Sequence, residues 1–502
     1  MSAAPATNSA PAMNAAPYEI VIGLEVHVQL QTKTKLFCRC STKFGAEPNT
    51  QTCPVCIGLP GALPVMNREA FALGLKTAVA LNCHIPPLTK WDRKNYYYPD
   101  LPKGYQISQY DLPMSADGWL EISDSKGEFA PKRVGILRAH LEEDAGKSMH
   151  DEVAGKADSR IDLNRTGTPL LEIVSQPELS SAKEAKAYLT ELKLLLTYLG
   201  VSDCNMQEGS LRVDANVNLH IPTPQGVIAT PIVEVKNVNS FRAVERALIY
   251  EAQRQYAAWQ ENGLKKGDVP KQTRGWDDQR MVTYGQRQKE ESSDYRYFPD
   301  PDLVPVLVTP DELESVRRSL GELPAELRER LQRDYKITAY DADVIVNQGR
   351  PLVDFYLEVA DQCGDGKQAS NWVTQEVLRL MNERQWTIEQ FPVRPAGLVA
   401  LLKAVQSNEV PGPRAKEVFA TMLETGLSLA DAKTKLGIAA VDSNELESLC
   451  RQLLADNPRV VADVKAGKAQ AVASLIGQAK KRNPNVNPND FRTTCLRLIE
   501  SM

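Results

Sequence analysis

The sequence is short of several things, and each absence removes a class of protein. No apolar run reaches the ~18 residues of a membrane span, which excludes a helical membrane protein. Formal net charge is -5 over 502 residues, so no global excess of basic charge speaks for nucleic acid. A complete phosphate-binding loop is missing. Asp144-Ala145-Gly146-Lys147-Ser148 ends like one, but the required upstream glycine falls on Leu141. No GxGxxG follows a strand pattern. Neither a Ser-His-Asp arrangement nor the Ser- and Gly-rich signature of an amidase appears. Cys83 and His84 are direct neighbours, a poor placement for nucleophile and base. Residues 1–17 carry no charged side chain. They lack the basic start and apolar core of a signal peptide and the arginines of a transit peptide, and read as a disordered leader. The expected location is the cytoplasm.

What is present is an ordinary soluble composition, with 25% charged and 42% hydrophobic residues. At ~100–200 residues per domain the chain should hold two to four domains. From Tyr18 to about residue 305 many segments alternate with a period of two, as half-buried strands do. In IGLEVHVQLQ (22–31) the apolar face is Ile22, Leu24, Val26, Val28 and Leu30. The other face is Gly23, Glu25, His27, Gln29 and Gln31, of which Gln29 is read as a plain polar position. LRVDANVNLH (211–220) alternates as cleanly, with Arg212, Asp214, Asn216 and Asn218 together. RVGILRAHLEED (133–144) puts Arg138, His140 and Glu142 on one face, with Glu143 next, and IVEVKN (232–237) pairs Glu234 with Lys236. One helix interrupts: Ser181 and Glu184 have capping-box spacing, Leu189, Leu192, Leu196 and Leu199 follow at helical intervals, and Gly200 ends it. The reading is an α+β domain on an antiparallel sheet over 18–305, an all-helical domain over 306–424, and a small helical tail over 425–502.

Two features of this pattern carry chemistry. Cys38-x-Cys40 and Cys53-x-x-Cys56 form two close pairs around a loop, a spacing that lets four thiolates reach one tetrahedral zinc ion. With four protein ligands such a site is structural; the alternatives are chance clustering or redox thiols. The scattered Cys83, Cys204, Cys363, Cys450 and Cys495 read as free thiols of a reducing compartment. The acidic strand faces are the second feature. Carboxylates converging from several strands suit Mg²⁺, a hard cation that shares oxygen ligands with substrate phosphates. Taken singly, a histidine on a strand is more often a structural one and an acid usually a solvated one. The tail adds a local basic bias: from Arg459 onward eight Lys/Arg face three acids, a net +5 on an acidic body. That fits a polyanion contact or a solvated helical face.

The segments VIGLEVHVQL, FGAEPNTQTCPVCIGLPGALPVMN, DRKNYYYPDLPKGYQISQYD, GILRAHLEEDAGKS, DLNRTGTPLLEIVSQP, VSDCNMQEGSLRVDANVN, VEVKNVNSFRAVERAL and SSDYRYFPDPDL follow one another in this order. Together they closely resemble the GatB component of the tRNA-dependent amidotransferases (GatCAB), from about residue 18 to 502, with a YqeY-like tail. The resemblance implies a glutamine-synthetase-like cradle. It implies activation of the side-chain carboxylate of Glu-tRNA(Gln) or Asp-tRNA(Asn) by ATP to an acyl phosphate, which ammonia then converts to the amide. An amidase-type partner, the A component, would release the ammonia from glutamine, and a small C component would complete the heterotrimer. Carried onto this chain, the family's motifs fall on Glu25, His27, Glu142 and Glu143 as catalytic and Mg²⁺-holding groups. Asp214 and Glu234 match further acidic positions of the same pocket. Lys236 and Arg212 face the pocket as partners for phosphate charge. Lys465, Lys468, Lys480, Lys481 and Arg482 fall where the tail meets tRNA. The alternatives are a stand-alone carboxylate–amine ligase acting on a small acid and a non-enzymatic zinc- and RNA-binding protein.

Overall fold

The alternation at the amino-terminal end builds the middle of a sheet. In the computed structural model, which describes residues 17–150, 159–286, 295–438 and 442–501, the chain divides into two units, one ending at Pro324 and the other starting at Ala325. The first unit is organised by nine strands: β1 (Glu19–Gln29), β2 (Ala116–Ile122), β3 (Lys132–Glu143), β4 (Pro169–Ser175), β5 (Leu211–Thr223), β6 (Gly226–Ala229), β7 (Val233–Val238), β8 (Gln272–Asp277) and β9 (Val282–Gly285). Across the sheet the order is β9-β8-β7-β5-β1-β4-β3-β2, and β6 pairs with β5. Every pair is antiparallel except β7 with β8, which is parallel.

The two faces of this sheet have opposite characters. Ile22, Leu24, Val26 and Val28 of β1 and Leu211, Val213, Ala215 and Val217 of β5 are buried in one core. Helices α1 (Arg68–Ala80), α2 (Ala182–Tyr198) and α3 (Phe241–Asn262) cover that face, with Leu75, Leu192, Leu196, Val244 and Leu248 in the same core. Each such side chain contributes ~1.5–3 kcal/mol through apolar burial. The register is therefore fixed, because a slip of one residue would turn the whole polar row of β1 into the core. At the start of α2, Ser181 accepts a hydrogen bond from the Glu184 amide at 3.1 Å. The Glu184 carboxylate does not return to Ser181 as a full capping box would. It accepts from the Ser180 amide and hydroxyl and from Lys132 instead. Gly200, at φ +66°, ends the helix as its position predicts.

A small three-stranded sheet (Asp92–Asn95, Tyr105–Ser108, Phe298–Pro299) belongs to the first unit. A two-residue strand, Val306–Leu307, pairs with Leu88–Thr89, so strand structure runs slightly beyond the point where alternation ceases. Helix α4 (Pro310–Ser319) starts in a capping box formed by Thr309 and Glu312 and packs on α1. In the second unit the described residues form helices and turns. Its carboxy-terminal part has its own core of Cys450, Leu453, Leu475, Phe491, Cys495 and Leu498.

Candidate active site

Antiparallel pairing places side chains opposite each other on one face. Glu25 of β1 lies opposite Asp214 of β5, and His27 opposite both Arg212 of β5 and Glu172 of β4. His140 of β3 lies opposite Glu172 from the other side, and Glu142 follows two residues on. The result is a knot of three carboxylates and two imidazoles. His27 Nε2 is 3.6 Å from Glu25, 3.6 Å from Glu172 and 3.8 Å from Glu142. His140 Nε2 is 3.6 Å from Glu172 and 3.9 Å from Glu142. Glu25, His27 and Glu172, and likewise His140, Glu142 and Glu172, each present three possible metal-ligand atoms within 4.8 Å of one another.

Burial and crowding set the protonation of these groups. Burial would lower the His27 imidazole, but the hydrogen bond to Glu172 and the charges of Glu172, Glu142 and Glu25 outweigh it and raise it to about 9. His140, equally enclosed, is pushed down to about 4 by burial. Burial and the charge of Glu172 push the Glu142 carboxyl up to about 7. Burial also opposes ionisation of Glu172, yet the flanking imidazoles of His140 and His27 and the nearby Lys94 hold it below the usual carboxylate range. Lys94 remains a cation despite burial, held by the charges of Glu142 and Glu172, with its Nζ 4.9 Å from the Tyr295 ring.

This knot lies on the wall of an open cavity of about 1330 Å³. Further along the same face, Arg212 donates to Asp144 at 2.8 Å and Gln29 donates to Asp144 at 2.7 Å, so Gln29 is a positioning partner and not a plain polar residue. Lys236 forms an ion pair with Asp214 and lies 3.7 Å from Glu234. Arg212, Asp214 and Lys236 all line the cavity. Two sequence-assigned acids do not. Glu143 turns to the other side of β3, as neighbours on a strand must, and pairs with Lys103 while accepting from the Ile107 amide at 3.0 Å. Glu234 is fully buried beneath Lys271 and Thr273, 3.2 and 3.3 Å away.

The four cysteines meet. Cys38, Cys40, Cys53 and Cys56 place their sulfurs within 4.8 Å of one another, a donor set that fits a tetrahedral zinc ion. A hydrogen bond from Cys38, the Cys53 amide and the Lys35 ammonium hold the Cys56 thiol down at about 4 against the cost of burial. The cluster also belongs to the cavity's architecture, because Thr42 to Ala46 and Gln51, all within the same insert, line the cavity. Asn164 fastens that insert to the segment before β4, accepting from the Gln51 amide at 2.8 Å and donating to the Glu47 carbonyl at 2.7 Å.

The five tail cations lie on the second unit. Lys465 ends helix Pro458–Lys465, Lys468 follows it and pairs with Asp463, and Lys480, Lys481 and Arg482 form the last turn of helix Ala473–Arg482. All but the half-buried Lys480 are exposed.

The family model described as the GatB/GatE catalytic domain matches residues 20–314, and that described as the GatB domain matches residues 354–497. The chain belongs to the GatB family. It is 61% identical over 482 residues to the aspartyl/glutamyl-tRNA(Asn/Gln) amidotransferase B subunit of Rhodopirellula baltica, covering 96% of this chain and 97% of that protein. The proteins of the same name from Thermoanaerobacter pseudethanolicus and Moorella thermoacetica are 47% and 48% identical over 466 and 465 residues, or 92% of this chain and 95% and 96% of theirs. The knot of acids lies within the GatB/GatE catalytic match, and the five tail cations within the GatB domain match.

Sequence reasoning assigned no role to Glu172, Asp144 or Lys94, although all three line the cavity. A signal for Glu172 existed. In PLLEIVS it is the one charged residue of an otherwise apolar strand, and an acid there must be paired or must hold a cation. This geometry predicts that Glu172→Gln and Glu142→Gln each weaken Mn²⁺ binding by about tenfold or more. Glu143→Gln should leave it within about threefold, both read by electron paramagnetic resonance titration. A loss with Glu143→Gln equal to that with Glu172→Gln would contradict the assignment.

Proposed function

We propose that the cavity is where an ATP-derived phosphoryl group activates the side-chain carboxylate of Glu or Asp esterified to tRNA, and where ammonia then forms the amide. The observation that carries this reading is the convergence of Glu25, His27, Glu142 and Glu172 from three strands onto a wall also bearing Lys94, Arg212 and Lys236. Acids alone would repel both a triphosphate and a carboxylate; acids flanked by fixed cations suit metal-assisted phosphoryl transfer.

The donor set fits a hard divalent ion, since carboxylate oxygens dominate it and burial disfavours leaving them unpaired. Glu25, His27, Glu142 and Glu172 would hold Mg²⁺, which when bound offsets the charge between phosphate and acceptor carboxylate. Among the chain's own groups, Arg212 is held against Asp144, and Lys236 against Asp214, so both cations stand oriented before a phosphate arrives. Lys94, held by the charges of Glu142 and Glu172, lines the same cavity. In the first step a carboxylate oxygen attacks the γ-phosphorus and ADP leaves. In the second the ammonia nitrogen attacks the acyl carbon and phosphate leaves. Tyr96, Tyr98 and Tyr295 also line the cavity.

Ammonia comes from an amidase-type partner protein, and a small third member completes the assembly. Relatives that share nearly the whole chain are named as amidotransferase subunits, which speaks against a stand-alone ligase. The four cysteines hold structural zinc, and the tail cations contact tRNA phosphates. Among the described residues no helix is long and apolar enough to cross a membrane.

Assembled with its partner subunits, the Glu25→Gln or His27→Ala protein should lose ATP-dependent amide formation by at least about a hundredfold while glutaminase activity of the partner persists. Normal transamidation by these variants would overturn the site. For the tail, neutralising Lys480, Lys481 and Arg482 together should weaken tRNA binding and reduce its salt slope by about 1 for each phosphate no longer bound. An unchanged slope in a salt titration would remove these three residues from the interface.

A further inference from the structure

Lys35 is fully buried, and its surroundings are unusual for a lysine. Its Nζ donates to the Gln51 carbonyl at 2.8 Å and the Leu163 carbonyl at 3.4 Å, and lies 3.6 Å from Cys56 Sγ. Among the described residues, no carboxylate comes within ion-pair distance of it. Glu143, which passes nearby, is committed to Lys103. The stem is confined as well. A Cβ added at Gly167 would stand 3.7 Å from Lys35 Cδ, 3.6 Å from Cys56 Cβ and 3.4 Å from Glu143 Oε1, and the positive φ of Gly167 makes glycine fitting there.

An ammonium taken out of water needs a counter-charge, and two neutral carbonyls do not supply one. The anionic group at hand is the cysteine cluster. Four thiolates around a divalent ion carry a net charge of about −2.

We propose that Lys35 is the counter-ion of the metal–thiolate centre and the link by which that centre positions the cavity wall. The inference rests on the zinc reading of the four cysteines given above. Its three partners belong to two pieces of structure, the cysteine insert and the segment before β4. Cys56 is a metal ligand in that reading, Gln51 lines the cavity, and Leu163 stands between Asp162 and Asn164, which line it too. The metal centre holds Lys35, and Lys35 holds the insert against the 162–165 segment alongside the Asn164 bonds. Lys35 is thus a positioning residue, remote from the reacting atoms.

The test compares Lys35→Met, which keeps the stem and removes the charge, with Lys35→Arg, which keeps the charge. Both are made in the full chain co-expressed with its partner subunits. Zinc content is measured first, then zinc affinity by competition with a chromophoric chelator. Lys35→Met should bind zinc about tenfold more weakly than the native protein, and Lys35→Arg within about threefold of it. In the cobalt-substituted proteins the thiolate-to-cobalt charge-transfer band should move to lower energy in Lys35→Met alone, an effect that a lysine acting only by packing would not produce. Native zinc affinity and an unmoved band in Lys35→Met would overturn the counter-ion role. A native protein that purifies without zinc and takes up no cobalt would instead remove the metal reading itself. Should Lys35→Met fail to fold, amine acetylation of the native protein decides. Zinc-loaded protein should shield Lys35 and chelated protein should label there, whereas shielding that survives chelation contradicts the proposal.

Discussion

The contact on which the cavity depends is that of His27 with three carboxylates, Glu25, Glu142 and Glu172, at 3.6 to 3.8 Å. Three acids so close together repel one another. The arrangement persists because each acid comes from a strand whose opposite face is locked into an apolar core. A cation shared among them relieves the repulsion, with His27 and Lys94 providing part of it. In the function proposed above, the same repulsion would favour a divalent ion at the site. Structure and chemistry are thus linked through the register of β1, β4 and β3.

Much of this was legible from residues alone. The alternation of β1 and β5 located both the apolar core and the polar face, since a period of two leaves little ambiguity. Helix α2 was legible from its cap, leucine spacing and terminal glycine. Glu172 was hidden because β4 is buried on both faces and reads as a continuous apolar run, so no alternation marks which residue turns toward the cavity. The pairing of Glu142 with Glu143 in one role came from their adjacency in the family's motif. Strand geometry divides them: Glu142 joins the knot, and Glu143 anchors Lys103 behind it. Asp144 and Lys94 gain meaning only from tertiary structure, which brings the end of β3 and the small three-stranded sheet to the cavity that β1 lines.

The cysteine insert and the acidic knot look unrelated in sequence, yet they share a cavity. Residues 42–46 and 51 form one side of it, and the polypeptide from Asp162 to Thr168 runs between the cysteine cluster and β4. A metal held by the four cysteines would fix a loop that has little apolar core of its own; Phe44, Leu59, Leu63 and Val65 of that region are all exposed. A metal held there would replace hydrophobic burial as the source of local order.

The central claim is that the cavity activates a carboxylate by phosphorylating it. The most direct measurement uses tRNA charged with Glu or Asp whose side-chain carboxylate carries ¹⁸O, turned over with ATP, glutamine and the assembled subunits. Acyl phosphate chemistry moves one carboxylate oxygen into the released phosphate, so ¹⁸O-labelled phosphate should appear in step with amide formation. Amide formed and ATP consumed with no ¹⁸O in the phosphate would contradict the account.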